Sequence, residues 1–135
     1  MKKILISGSV SAIALVIFSM LALYATLLLF PNIALEYYDP AFRENGGGRI
    51  LYFLHPIILS FALAWFWERF KSIFKGSFTL RGIEFALVYL LVATLPSLWI
   101  VYSAMSISLI IVITWMAYGF IQALIAGLIL EKMNP

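Results

Sequence analysis

Charged residues occur in short segments of this chain, and long uncharged runs separate these segments. Three runs without Asp, Glu, Lys or Arg cover residues 4–35, 50–67 and 85–130, and they are 32, 18 and 46 residues long. A helix needs about 20 mainly apolar residues to cross the hydrocarbon core of a bilayer, and a charge in that core costs several kcal/mol. The pattern therefore predicts an integral membrane protein built from helices.

The third run is long enough to cross the membrane twice. As one helix it would measure about 69 Å at 1.5 Å per residue, more than twice the ~30 Å hydrocarbon thickness. Ser103, Ser106 and Ser108 form the polar cluster near its middle, and we expect a tight hairpin there. Pro31 is expected to end the first span. The sequence thus predicts an all-α, up-down bundle of four transmembrane helices in a single domain over residues 1–135, with spans at about 4–30, 50–67, 82–102 and 107–130.

The distribution of basic residues predicts the orientation of the bundle. Cytoplasmic loops carry the excess of Lys and Arg. With the N-terminus inside, seven basic residues fall on the inner side and two on the outer side: Lys2, Lys3, Arg69, Lys71, Lys75, Arg81 and Lys132 against Arg43 and Arg49. We expect both termini to be cytoplasmic, in a membrane of the bacterial inner (plasma) type.

The two charged loops carry signals for short helical pieces. In the outer loop, Asp39 and Pro40 are typical of a helix start and Gly46 to Gly48 of a stop, which predicts one helical turn over Pro40 to Asn45. In the inner loop, Phe70, Ile73 and Phe74 follow helical spacing, which predicts an amphipathic extension of the second span along the membrane surface.

Composition excludes several kinds of chemistry. The 135 residues are 64% hydrophobic and 11% charged, with no cysteine and one histidine. Disulfides, thiolate catalysis and Cys-ligated metals are excluded, and one histidine does not predict a metal site. We expect no cofactor and no nucleic-acid partner, since the positive charge follows membrane topology and no phosphate-binding glycine pattern is present. The expected partners are membrane lipid and either a second copy of the chain or a larger membrane complex.

His55 is the first candidate for a polar or ligand-binding site. It precedes Pro56, which kinks a helix and frees a backbone carbonyl. The imidazole is therefore expected to form a structural hydrogen bond to such a group, with pH sensing and ligation of a metal or cofactor as the alternatives. Pro96 in the third span lies at nearly the depth of Pro56. Two kinks at one level either open a pocket toward the outside or let the two helices curve around each other.

Glu84, Arg81 and Gln122 complete the candidate polar site. Glu84 is expected to be an interfacial carboxylate paired with Arg81 or Arg69, with a proton-carrying or ligand-binding role as the alternative. Gln122 is expected near the level of Glu84, as a hydrogen-bonding contact between helices. His55 lies too far from Glu84 in depth for the two to pair.

A stripe of small residues on the fourth span is a candidate for helix packing. Gly119, Ala123 and Gly127 repeat every four residues, the spacing that lets helix backbones approach closely in membranes. Such a stripe serves contacts within one chain or between subunits.

Three functional hypotheses follow from these patterns. The first is a structural or accessory subunit that acts through helix contacts, since no catalytic set is present. The second is an oligomeric transporter or channel for ions or small solutes. The third is a membrane-embedded enzyme acting on a lipid or another lipophilic substrate.

Overall fold

A computed structural model describes residues 1–40, 42 and 47–135 of the chain. The structure is 84% helical, and no strand occurs in the part of the chain that it describes. The elements, in chain order, are α1 (Lys2–Leu29), α2 (Pro31–Glu36), α3 (Gly47–Phe70), α4 (Phe78–Tyr89), a π-helical turn (Leu90–Thr94), α5 (Leu95–Ala104) and α6 (Leu109–Met133).

Four stretches are long and apolar enough to cross a membrane. They are Lys2–Leu29, Ile50–Phe70, Phe78–Ala104 and Leu109–Met133, and the third combines α4, the π-helical turn and α5. Large apolar side chains cover the outside of these helices, as in Leu28, Val92 and Trp99, which are 79%, 73% and 75% exposed. This surface requires lipid around it. The predicted all-α bundle of four apolar helices is confirmed, and the chain is an integral membrane protein.

The first span ends beside a proline, and the same proline starts a second helix. Phe30 leaves helical geometry, with φ −131° and ψ 58°, and Pro31 is the first residue of α2. Proline suits a first helical position because the N–H that it lacks has no helical partner there. The sequence predicted the stop and missed α2. The helical turn predicted over Pro40 to Asn45 falls largely on positions 41 and 43–45, which lie outside the described residues.

The predicted amphipathic extension after the second span is wrong. Helix α3 ends at Phe70, and a turn over residues 71–73 follows. Gly76 has a φ of +108°, a conformation that side chains disfavour, and it lets the chain reverse toward α4. Phe74 is therefore buried, at 4% exposure, and stacks on Trp67 with 5.5 Å between ring centroids. It belongs to the core and does not lie on the membrane surface.

The hairpin between the third and fourth spans lies where the serines predicted it. Helix α5 ends at Ala104 and α6 begins at Leu109. Ser108 is the N-cap of α6, and its hydroxyl accepts a hydrogen bond from the Ile111 backbone N–H at 3.3 Å. A serine at this position satisfies one of the free N–H groups of the first helical turn.

Helix α6 is the central element of the bundle, because it packs on α1, α3 and α4, while α1 also packs on α3. The inner end is the end that holds the α3–α4 loop. There, Phe85 of α4 meets Trp67 and Phe66 of α3, with 5.2 Å and 5.9 Å between ring centroids. Together with Phe74 these rings close the bundle at the inner end.

Candidate functional site

The opposite, outer half of the bundle contains a cavity of about 780 Å³. Residues from all four spans line it, and the segment after α1 contributes to it near Tyr37. The lining mixes aromatic rings with hydroxyl and amide groups. Its polar and aromatic members are Thr26, Tyr37, Tyr38, Tyr52, His55, Tyr89, Thr94, Ser97, Thr114, Trp115, Tyr118 and Gln122.

An irregular stretch of the third span forms one wall of the cavity. The π-helical turn Leu90–Thr94 ends two residues before Pro96, whose missing N–H interrupts regular helical hydrogen bonding. Thr94 is buried against Gly119 of α6, where a Cβ atom would lie 3.3 Å from the threonine methyl. His55, beside Pro56 in α3, and Ser97, beside Pro96, both line the cavity. Of the two outcomes left open for these prolines, a cavity at their level is the one observed.

Hydrogen bonds centred on Ser19 of α1 form the floor of the cavity. Its hydroxyl donates to the Leu15 carbonyl oxygen at 2.7 Å, which leaves Tyr118 as the donor in the 2.6 Å contact between the two hydroxyls. The Tyr52 hydroxyl donates to the Ser19 carbonyl oxygen at 3.0 Å, and the Gln122 amide donates to the Ser19 hydroxyl at 3.4 Å. One buried serine therefore ties α1, α3 and α6 together.

A buried oxygen atom at the cavity lacks a hydrogen bond. Within the described part of the chain, the Oε1 atom of the fully buried Gln122 has no partner. The Thr94 hydroxyl, on a residue that is 9% exposed, interacts with the Tyr89 side chain. Leaving a buried acceptor unpaired costs about 1–3 kcal/mol, so such atoms are rare in a folded protein and call for a partner.

An aromatic cluster closes the outer end of the cavity. The Trp115 indole N–H donates to the Tyr37 hydroxyl at 2.6 Å, and Phe42 lies edge-on to Trp115 with 6.1 Å between ring centroids. Burial raises the pKa of Tyr37 above its ordinary value, although the hydrogen bond from Trp115 opposes the shift. Tyr37 therefore stays protonated at neutral pH, and its segment is anchored to α6.

A second, smaller cavity of about 360 Å³ lies between α3 and the third span, next to the first. Tyr89 and Ala93 line both cavities. We call this second cavity the groove. Apart from the Tyr89 hydroxyl its lining is apolar, and its other members are Leu59, Ala62, Leu63, Trp65, Phe66, Val88 and Val92. Because Trp65 and Val92 are also exposed on the lipid-facing surface, the groove leads from the cavity toward lipid.

The structure separates the four residues of the predicted polar site into two groups. His55 and Gln122 line the cavity, whereas Arg81 and Glu84 lie at the inner end. The expected layer that joins Gln122 to Glu84 does not form. The directions of the side chains explain the separation, because Glu84 is exposed and meets the Lys75 backbone N–H, whereas Gln122 is fully buried in the bundle.

The expected pairing of Glu84 with Arg81 or Arg69 is also wrong. Arg81 pairs with Glu131 of α6 at 2.6 Å, and its second terminal nitrogen donates to the Lys71 carbonyl oxygen at 3.0 Å. Glu84 is exposed and accepts a hydrogen bond from the Lys75 backbone N–H at 3.3 Å. Its position three residues after Arg81 suggested a pair, but the arginine turns toward α6.

A polar cluster around Asn134 fixes the end of α6 and was not predicted. The Trp67 indole N–H donates to the Asn134 carbonyl oxygen at 2.9 Å, and Lys71 donates to the Asn134 side chain at 2.8 Å. The Asn134 amide in turn donates to Glu68. No sequence pattern links residues 63 to 67 positions apart, so this cluster depends on tertiary structure alone.

Ser19, Tyr118 and Gln122 of the cavity floor lie on repeats that the sequence analysis missed. Ser7, Ser11, Leu15 and Ser19 repeat every four residues, and all four are buried on one face of α1. On α6, Tyr118 and Gln122 have the same spacing. A polar stripe on each of two apolar helices indicates that the two stripes face each other.

The small-residue stripe of α6 faces the rest of the same chain. A Cβ atom on Gly127 would lie 2.9 Å from the Phe85 ring and 3.2 Å from the Gly82 carbonyl oxygen, so α4 and α6 are in backbone contact there. Ala123 is fully buried in the core. The stripe thus packs helices within the chain, one of the two roles open to it.

No group of three or more His, Cys, Asp or Glu side chains among the described residues is placed to hold a metal ion. A scan against protein-family models, a search of curated proteins and a search of solved structures each gave no match for this chain. The site itself defines a class, that of a four-span integral membrane protein with an amphipathic cavity beside lipid.

Proposed function

We propose that this protein binds a lipophilic small molecule inside the membrane, in the cavity of the outer half. The single observation that carries the proposal is the cavity of about 780 Å³, which shares Tyr89 and Ala93 with an adjacent apolar groove. Ligand sites in proteins measure about 300–1,000 Å³ and combine apolar walls with a few polar groups. The rings and hydroxyls of the lining have this composition.

Binding is better supported than passage of a solute through the chain. An open channel needs an opening at both ends at once, and the inner end is filled by Trp67, Phe74 and Phe85, which are at most 4% exposed. Flux into liposomes that disappears in His55→Ala would favour the transporter hypothesis. Turnover of a lipid that disappears in the same variant would favour the enzyme hypothesis, since His55 is the titratable imidazole at the cavity.

An accessory role in a larger membrane complex is a further proposal and concerns the outer surface of the bundle. Exposed aromatic residues such as Trp99 and Trp65 support it, because such side chains suit both lipid and a partner helix. In-membrane crosslinking that captures a defined partner, or a second copy of this chain, would test it. Binding of a small molecule and an accessory role are compatible.

The cavity is proposed to open on the side away from the cytoplasm. Lys71, Lys75 and Arg81 belong to the inner end, and Lys132 lies beside it on the last turn of α6. By the positive-inside rule this end, and both termini with it, belongs in the cytoplasm of a bacterial-type inner membrane. A ligand would then enter from the outer leaflet.

The test is native mass spectrometry of the protein released gently from its membrane. A bound molecule is expected on the wild-type chain. Ala93→Phe places a ring at the junction of cavity and groove and is expected to abolish its retention. Ala117→Phe is the matched control, because Ala117 is exposed on α6 and is absent from both linings.

Two results would overturn the proposal. One is a wild-type chain that carries no small molecule, and the other is equal retention in Ala93→Phe and wild type. The thermal unfolding midpoints of both Phe variants are measured in parallel, so that loss of a ligand is not confused with loss of the fold.

A further inference from the structure

The hydroxyl groups of the cavity floor donate their protons to acceptors within the protein. Tyr52 and Tyr118 have one hydroxyl proton each, and both protons go to Ser19. The proton of Ser19 goes to the Leu15 carbonyl oxygen. These two tyrosine oxygens can therefore accept a hydrogen bond from a ligand through their lone pairs, but they have no proton left to donate.

Gln122 adds a stronger acceptor at the same place. Its amide nitrogen points to Ser19, and its carbonyl oxygen, on a fully buried residue, has no partner within the described ranges. A buried amide oxygen in an apolar bundle is paired in most proteins, so the Gln122 Oε1 atom is available to accept a hydrogen bond from a ligand group with a proton to donate.

The charge of the lining limits what that group is. No Asp, Glu, Lys or Arg stands among the described residues that line the cavity. The His55 imidazole is the basic group of the lining, and a head group with a full charge would lose its hydration there without an Asp, Glu, Lys or Arg partner, which is strongly unfavourable. A neutral hydroxyl matches the acceptors without that penalty.

The groove at Tyr89 and Ala93 provides for the rest of the molecule. It begins at the cavity, is lined by aliphatic and aromatic side chains such as Leu63 and Phe66, and reaches the lipid-facing surface at Val92. An aliphatic chain attached to a group in the cavity would leave the protein along this groove and end among lipid chains.

We infer that the ligand is a neutral amphiphile with a hydroxyl head group. The hydroxyl donates to Gln122 Oε1 at the cavity floor, and the aliphatic chain runs through the groove into the bilayer. This inference rests on the proposed binding function and specifies the chemical class that the cavity selects. Gln122 is the residue that selects a hydrogen-bond donor.

The experiment compares two probes, of which the second has a methyl group in place of the hydroxyl hydrogen and so lacks the hydrogen-bond donor. Oleyl alcohol and oleyl methyl ether are titrated into the purified full-length protein in detergent, and bound fractions are measured by native mass spectrometry. Wild type is expected to bind the alcohol about tenfold more tightly, as one hydrogen bond to an otherwise unpaired acceptor allows. In Gln122→Met, which keeps the shape and lacks the acceptor, the ratio is expected to fall to about one. Ser103→Ala, in the exposed hairpin, is expected to keep the wild-type ratio.

Three results would overturn the inference. They are equal affinity of wild type for both probes, absence of alcohol binding, and tighter binding of oleyl trimethylammonium, which would indicate an aromatic cage for a cation. The wild-type comparison decides the matter even if Gln122→Met does not fold. If the native ligand is still lost in Ala93→Phe while the two probes bind equally, the binding function stands and only the hydroxyl assignment fails.

Discussion

Arg81 of α4 and Glu131 of α6 form an ion pair of 2.6 Å at the inner end of the bundle, 50 residues apart in the chain. Both side chains are largely shielded, at 18% and 9% exposure. The guanidinium also lies 5.4 Å from the centre of the Trp67 ring. The pair therefore joins the two antiparallel helices beside the aromatic rings that close the end opposite the cavity.

Replacing Glu131 with Gln is expected to destabilise the protein by about 1–3 kcal/mol, since a shielded arginine loses its charged partner. Glu84→Gln is the control, because the exposed Glu84 carboxylate meets only a backbone N–H in the hydrogen bonds given for it, and its loss is expected to change stability by about 0.5 kcal/mol or less. Thermal unfolding in detergent, followed by tryptophan fluorescence, measures both. Equal shifts for the two variants would contradict the assigned role of the ion pair.

Two glycines of α6 are expected to respond in opposite directions to the same change. Gly127→Ala would place a Cβ 3.2 Å from the Gly82 carbonyl oxygen, and backbone cannot move aside easily. The overpacking, about 1–3 kcal/mol, is expected to exceed the helix-propensity gain of about 1 kcal/mol, so the melting temperature falls. At Gly119 the nearest atom is a Thr94 side-chain methyl at 3.3 Å, which can shift, so Gly119→Ala is expected to melt at the wild-type temperature or higher. A higher melting temperature for Gly127→Ala would contradict the close contact.

The architecture could be predicted from charge alone, because exclusion of charge from lipid is a large effect that acts on every residue of a span. The hairpin at Ser108 was predictable for a similar reason, since serine caps are local. The π-helical turn before Pro96 was not predictable in detail. A proline in a sequence shows where regular helical hydrogen bonding is interrupted, but it does not show which backbone geometry the chain adopts there.

The candidate site was predictable only in part. His55 and Gln122 stood out because polar residues are scarce in a span, and both line the cavity. The prediction for Arg81 was wrong. Glu84 is close to it in sequence, but the packing of α4 on α6 places Glu131 beside it. For Ser19 the sequence shows only the four-residue repeat on α1, because its central position depends on three helices that meet.

The segment after α1 is expected to depend on Trp115 for its position. Trp115→Phe keeps the ring and removes the N–H donor to Tyr37, so residues 31–40 should exchange backbone hydrogens faster. Trp99→Phe is the control, because Trp99 is 75% exposed. Hydrogen exchange measured by mass spectrometry compares the two variants with wild type. Unchanged exchange of this segment in Trp115→Phe would show that the indole hydrogen bond does not anchor it.

The orientation of the bundle can be mapped with single cysteines, because the native chain has none and every label reports an introduced site. Lys75→Cys and Lys132→Cys lie at the same end, since Glu84 contacts Lys75 and Arg81 of the same helix pairs with Glu131, next to Lys132. A membrane-impermeant maleimide added to intact cells is expected to leave both unlabelled and to label Tyr38→Cys, which is 80% exposed beyond α2. Opening the cells should make the first two reactive.

Labelling of Lys75→Cys in intact cells would reverse the assigned sides and place the cavity in the cytoplasmic leaflet. Labelling of Lys75→Cys and Tyr38→Cys from one side would contradict the four-span arrangement itself.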